Sequence, residues 1–149
     1  MSLQDEGFSR YLRLREIPEE QIKTAISIAA MFRQYCQNPV AGVHRGINLD
    51  KFLSFSVSMI EAGLNTPENY LALARFGLFL GNREIYRAAL DMIDGEEAIP
   101  NLYIRLGETL GTKKRNGIFA GLILPPLGSP PLEKAVFTRR VMQRLDEQV

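Results

Sequence analysis

Apolar residues recur at helical spacing along almost the whole chain, and this pattern limits the fold more strongly than any other feature. The clearest segment begins at Pro18, which suits the first position of a helix because its missing N–H needs no partner there. Glu19 and Glu20 follow in the first turn, where the helix dipole favours acidic side chains. The apolar residues of this segment then repeat every three or four positions, on one face: Ile22, Ala25, Ile26, Ala29, Phe32 and Cys36. The sequence therefore predicts a helix over residues 18–37.

Helix start and stop signals continue beyond this segment. Asn48 is a typical N-cap, and we expect the helix that it opens to turn Leu53 and Ile60 inward with its other apolar residues and to end at Gly63 in a left-handed conformation. Residues 66–68 combine a hydroxyl cap, a proline and an acid, and the helix that follows is apolar nearly all round. A helix of that kind is buried on most sides, so we expect it at the centre of the fold.

Further helical patterns follow. Asn82 is the predicted N-cap of the first of them, and we expect Met92 of that helix to point inward. The others cover residues 99–110, residues 113–124 and a last segment that opens at 129–131. The predicted fold is therefore all-α, a compact orthogonal bundle of about eight helices. The segments that begin at Pro18 and Pro67 resemble each other. Two similar helical-hairpin units would explain this likeness, and shared capping rules would explain it equally.

The length of 149 residues suits one domain, which we predict to cover residues 4–149. Residues 1–3 are interpreted as a cloning leader. The chain stops within an amphipathic pattern, so we expect it to be the N-terminal part of a longer protein. The lone Cys36 cannot form an internal disulfide, no signal peptide is visible, and the apolar stretches are shorter than the ~20 residues that span a bilayer. The chain is predicted to be a cytoplasmic protein that does not enter a membrane.

The polar residues lack the arrangements that support catalysis or metal binding. There is one histidine, His44, and one cysteine, which is too few for a zinc site, and the acidic residues occur as sequence neighbours that point about 100° apart on a helix. Neither a P-loop nor a GxGxxG motif occurs. We therefore predict no catalytic residue, no metal and no cofactor. The predicted function is a non-catalytic helical protein-interaction or regulatory module, whose partner is another protein, the remainder of its own chain or a second copy.

Positive charge is concentrated in the last third of the chain. Residues 1–104 hold 10 Lys/Arg against 13 Asp/Glu, a net charge of −3, whereas residues 105–149 hold 8 against 4, a net charge of +4. Such a region favours phosphate or an acidic partner. The candidate anion- or nucleic-acid-binding residues are Lys113, Lys114 and Arg115 at a predicted helix start, and Arg139, Arg140 and Arg144 on the last helix. That last helix is also rich in apolar residues and is the predicted contact surface.

One segment supports an alternative function. Residues 8–36 contain a phenylalanine, a Tyr-Leu pair, a short break and a helix that ends near an aromatic residue. This order resembles the opening of the SAM-like core-binding domain of tyrosine recombinases. The resemblance implies a four-helix domain that clamps the DNA backbone. The sequence places Arg10, Arg13, Arg15, Lys23 and Arg33 on the first two predicted helices, where they could contribute to DNA binding. The threonine usual after the break is replaced by Glu20-Gln21, and the recombinase catalytic domain does not follow.

Overall fold

The computed structural model describes residues 3–37, 46–95, 101–123 and 128–147. These residues form eight α-helices and no β-strand, which confirms the predicted all-α fold. The helices are α1 (Leu3–Leu14), α2 (Glu19–Gln37), α3 (Leu49–Glu61), α4 (Pro67–Leu80), α5 (Arg83–Asp94), α6 (Leu102–Leu110), α7 (Thr112–Phe119) and α8 (Pro131–Glu147). His44, the 96–97 turn, Ile99 and the prolines at 125–126 lie outside the described residues.

The chain divides into two compact units, Met1–Ile93 and Asp94–Val149. We call them unit 1 and unit 2. The prediction of one domain over residues 4–149 stays a prediction, because two compact units occur within single domains as well as in two-domain chains.

The core of unit 1 is built on α2 and α4, which pack against each other over more of their length than any other pair of its helices. The predicted burial of α4 is confirmed, since eight of its residues are buried, including Arg75, which donates a hydrogen bond to Gln21 Oε1 at 3.1 Å. Its predicted place at the centre of the fold stays a prediction, because α2 is the helix that packs against α1, α3 and α4. Phe32 of α2 is fully buried, with its ring 6.1 Å from that of Phe52 and 5.2 Å from that of Phe55, both on α3.

The predicted caps of unit 1 are confirmed. Asn48 Oδ1 accepts a hydrogen bond from the backbone N–H of Lys51 at 2.9 Å, and Thr66 Oγ1 accepts one from that of Asn69 at 3.2 Å. Asn82 caps α5 in the same way. Gly63 and Gly81 both have a φ of 72°, the left-handed conformation that favours glycine after a helix. These local rules fix where α3, α4 and α5 begin or end.

Unit 2 is held together by a part-buried ion pair and by aromatic packing. Arg105 of α6 donates hydrogen bonds from Nε and Nη2 to the two carboxylate oxygens of Asp94, both at 2.9 Å. The ring of Phe119, at the end of α7, lies 5.2 Å from Tyr103 of α6 and 5.9 Å from Phe137 of α8. The hydrogen bonds from Arg105 thereby attach α6 to Asp94. The ring of Phe119 packs α7 against both α6 and α8.

The sequence predicts a helix over residues 113–124, and the end of that prediction is wrong. Helix α7 ends at Phe119, and Gly121 then adopts a φ of 76°, which interrupts the helical path. Ile123, which continues the apolar pattern of the sequence, is 88% exposed. The two glycines of this segment weaken helix propensity enough for the chain to leave the helix early.

Candidate functional site

The outward face of α8 combines apolar and basic side chains. Leu132 is 75% exposed and Val136 is 41% exposed. Arg139, Arg140 and Gln143 are exposed one and two turns further along. With 3.6 residues per turn these positions fall on one side of the helix. We call Leu132, Val136, Arg139, Arg140 and Gln143 the α8 face.

The opposite side of α8 is the one that packs into unit 2. Phe137, Val141 and Leu145 are at most 5% exposed. They recur at the spacing of four residues that keeps side chains on one helix face. Burial of this side fixes the orientation of α8. The α8 face is therefore exposed to solvent because the opposite side is packed into unit 2.

Arg139 and Arg140 are both exposed on the α8 face. Within the described part of the chain neither one forms an ion pair or a side-chain hydrogen bond. Glu133 lies in the first turn of the same helix, where its carboxylate complements the helix dipole. The α8 face therefore has an apolar N-terminal half followed by two arginines, and the exposed Glu147 lies beyond them on the same side of the helix.

Arg144, which the sequence grouped with these residues, has a structural role. Its Nη1 donates a hydrogen bond to the carbonyl oxygen of Ile118 at 3.0 Å and another to that of Ala120. Carbonyls at a helix end lack intrahelical partners, and a cation there also complements the dipole. Arg144 thus caps the C-terminal end of α7, at the opposite end from Lys113 and Lys114.

Arg115 also packs within its own unit. Its guanidinium carbon lies 3.9 Å from the centre of the Tyr103 ring, and its Nε donates to Asn116 Oδ1 at 3.3 Å. Gly107 of α6 leaves room for this side chain, because a Cβ at that position would overlap the guanidinium. Lys113 and Lys114 are exposed at the start of α7. Arg115 and Arg144 are thus already engaged within unit 2, whereas Lys113, Lys114, Arg139 and Arg140 are exposed.

Several of the basic residues placed on the first two predicted helices are already engaged inside unit 1. Arg33 Nη2 lies 2.5 Å from Asp5 Oδ1, and Arg13 Nε lies 3.0 Å from Glu19 Oε1. Arg15 lies over the ring of Tyr11, 3.5 Å from its centre. Arg10 and Lys23 are exposed. An arginine whose charge is balanced by a nearby carboxylate contributes little to phosphate neutralisation, on which DNA affinity depends.

A cavity of about 770 Å³ lies in unit 1, lined by Gln4, Arg33, Cys36, Gln37, Gly46, Ile47, Leu80 and Asn82. The charge of Arg33 is balanced there by Asp5, and Arg33 Nη1 donates to Gln4 Oε1 at 3.2 Å. Cys36 is 2% exposed, which confirms its predicted place in the core. Burial raises the pKa of its thiol to about 11, against a smaller opposing effect of Lys51. The thiol is therefore protonated at neutral pH and is a poor nucleophile.

This state of Cys36 is testable by alkylation. At pH 8 a thiol with a pKa of about 11 holds about a hundredfold less thiolate than one with an ordinary value near 9. We expect iodoacetamide to modify Cys36 in the folded protein at least about a hundredfold more slowly than in the protein unfolded in urea. Comparable rates in the two states would show that Cys36 is an accessible, reactive thiol.

A second exposed apolar face, on α3, was missed by the sequence analysis. The expectation that Leu53 and Ile60 turn inward is wrong, because they are 43% and 55% exposed. Val57 lies between them on the helix and is 57% exposed. Apolar residues occupy both sides of α3, so periodicity alone could not show which side is buried; the larger Phe52, Phe55 and Met59 fill the core.

Met92 of α5 extends this surface and was also wrongly expected to point inward. Its side chain is 43% exposed, and its Sδ lies 3.9 Å from Ser56 Oγ of α3. Asp50 and Glu61 are exposed near the two ends of α3, whereas Lys51 is only 5% exposed. We call Leu53, Val57 and Ile60, with Asp50 and Glu61, the α3 face.

Among the residues that the structure describes, no group of three or more His, Cys, Asp and Glu side chains could hold a metal ion. In the same residues no helix has both the length and the apolar character needed to cross a bilayer.

Comparison of the chain with protein-family models, with curated proteins and with solved structures finds no match.

Proposed function

We propose that this chain is a non-catalytic protein-interaction module that uses the α8 face to bind an acidic, amphipathic helix of a protein partner. Apolar contacts would come from Leu132 and Val136, and Arg139 and Arg140 would pair with carboxylates. A partner helix with apolar residues at intervals of three and four and acids beside them has the matching pattern.

The observation that carries this proposal is the exposure of Leu132 and Val136 next to Arg139 and Arg140, which form no ion pair or side-chain hydrogen bond with the residues that the structure describes. Single exposed apolar residues are common on protein surfaces and need no explanation. Here two of them share a helix face with two exposed arginines. Burial of the apolar pair supplies affinity, and the two arginines favour a partner surface that carries negative charge.

DNA-backbone binding, which the recombinase resemblance implies, stays a prediction. The pairing of Arg13 and Arg33 with carboxylates of unit 1 disfavours it, because these arginines add little net positive charge to that unit. The α8 face is also half apolar, whereas surfaces that grip phosphates are dominated by positive charge.

The test is a titration of the full chain with a fluorescein-labelled helical peptide that carries a Leu/Val stripe flanked by glutamates. We expect binding that weakens as salt rises, since the exposed charges are screened. The double variant Leu132→Ser/Val136→Ser and the double variant Arg139→Glu/Arg140→Glu should each weaken binding by at least about tenfold. Fluorescence anisotropy measures all of these affinities.

The matched control is Lys113→Glu/Lys114→Glu, which makes the same change of charge on α7. We expect it to alter the affinity by no more than about twofold, because these lysines lie outside the α8 face. Two further ligands are titrated in the same way: a peptide with lysines in place of the glutamates, and labelled duplex DNA. Equal loss in the α7 variant, or tighter binding of DNA than of the acidic peptide, would refute the proposal.

A further inference from the structure

We infer that the acidic helix bound by the α8 face is α3 of a second copy of this chain, an inference that rests on the proposed function. The contact would join the α8 face of one copy to the α3 face of the next. Both faces are exposed, both carry apolar side chains, and the acids of the α3 face are opposite in sign to the arginines of the α8 face.

The α3 face has the chemistry that the α8 face requires. Leu53, Val57 and Ile60 are each between 43% and 57% exposed and follow one another at intervals of four and three residues. Asp50 and Glu61 are exposed on the same side of the helix. The neighbouring Lys51 is 5% exposed, so its charge does not offset the two acids at this surface.

The spacing of the two faces matches residue by residue. Leu53, Val57, Ile60 and Glu61 are separated by the same intervals as Leu132, Val136, Arg139 and Arg140. Two parallel helices in this register place leucine on leucine and valine on valine, but they also oppose Ile60 to Arg139. The antiparallel arrangement opposes Asp50 to Arg139, Leu53 to Val136 and Val57 to Leu132. The antiparallel direction therefore joins apolar residues to apolar residues and an acid to an arginine.

Pairing of identical faces is less favourable. Two α3 faces in antiparallel contact bring Asp50 and Glu61 of one copy towards the acids of the other. Two α8 faces in parallel contact oppose the arginines to each other, and in antiparallel contact they bring the arginines beside Leu132 and the adjacent Glu133. Like charges across an interface cost free energy, so the charges disfavour α3–α3 pairing and parallel α8–α8 pairing, whereas a contact between α8 and α3 joins opposite charges.

A contact between unlike faces has consequences for assembly. After one such contact the first copy still has a free α3 face and the second still has a free α8 face, so association continues until a ring closes or a filament forms. One helix pair buries less than the roughly 800 Å² per partner of a typical stable interface. We therefore expect association at micromolar to millimolar concentrations, which is detectable by sedimentation velocity across that range.

The decisive experiment uses two full-length variants. One carries Asp50→Arg/Glu61→Arg, and the other carries Arg139→Glu/Arg140→Glu. All four positions are exposed, so the variants should fold, and circular dichroism checks this. Each variant alone would oppose like charges and should associate at least about tenfold more weakly than the unmodified chain. An equimolar mixture again opposes unlike charges and should recover association to within a few-fold.

The outcomes separate this inference from the proposed function. If the unmodified chain is a monomer at every concentration but still binds the acidic peptide, the inference fails and the proposed function stands. If neither the peptide nor a second copy binds, both fail. If the chain associates but the mixture of variants does not recover association, the contact lies elsewhere and the inference is refuted.

Discussion

Replacing Phe32 with alanine is expected to lower the free energy of unfolding of unit 1 by about 3 to 5 kcal/mol. Phe32 is fully buried in α2, and its ring lies against those of Phe52 and Phe55 on α3. Removal of the ring loses its transfer free energy and leaves a cavity that the helices cannot fully close. The cost is large compared with the stability of an ordinary domain.

Met31→Ala is the matched control for this prediction. Met31 is adjacent on the same helix and is 42% exposed, so its truncation should cost much less than that of Phe32. Urea denaturation followed by circular dichroism, with amide hydrogen exchange to assign the loss to unit 1, measures both variants. Equal effects at the two positions would contradict the packing of α2 described above.

Asp94→Asn is expected to destabilise unit 2 by about 2 to 3 kcal/mol. The side chain of Asp94 is 5% exposed and accepts hydrogen bonds from two nitrogens of Arg105 and from Asn101 Nδ2. The amide would leave the guanidinium of Arg105 without its main anionic partner, although Glu108 remains at 2.7 Å. Breaking one half of a buried pair costs more than an exposed pair contributes.

The pH dependence gives a second readout for Asp94. Hydrogen bonding to Arg105 holds the pKa of the Asp94 carboxyl below its ordinary value, so this stabilisation is present above about pH 4 and is lost as pH falls through the lowered pKa. The difference between the unmodified chain and Asp94→Asn should therefore shrink in acid. The exposed pair Arg13–Glu19 provides the control, since Glu19→Gln should leave stability nearly unchanged. A difference that persists at low pH would show that Asp94 is not stabilising as a carboxylate.

Local features of this fold were predictable from sequence because they depend on neighbouring residues. The caps at Asn48, Thr66 and Asn82 are set within three residues of the helix start, and the burial of α4 follows from its own composition. Periodicity did not identify the outward side of α3, because both of its sides are apolar. The buried side is set by Phe52 and Phe55 meeting Phe32, which is a tertiary contact.

The site was predictable only in part, for the same reason. The sequence selected α8 and its arginines, yet it could not separate Arg144 from Arg139 and Arg140. The partners of Arg144 are carbonyls 24 and 26 residues earlier, at the end of α7. Nor could it find the α3 face, whose exposure depends on the packing of α3 against α2.

The central claim is that the α8 face is the binding surface, and an amide NMR titration of the full chain with the acidic helical peptide tests it most directly. The predicted result is a set of saturable shifts confined to α8 and centred on Leu132, Val136, Arg139 and Arg140. Shifts centred instead on Lys113 and Lys114, or on the cavity around Arg33, would contradict the claim, as would a spectrum unchanged at saturating peptide.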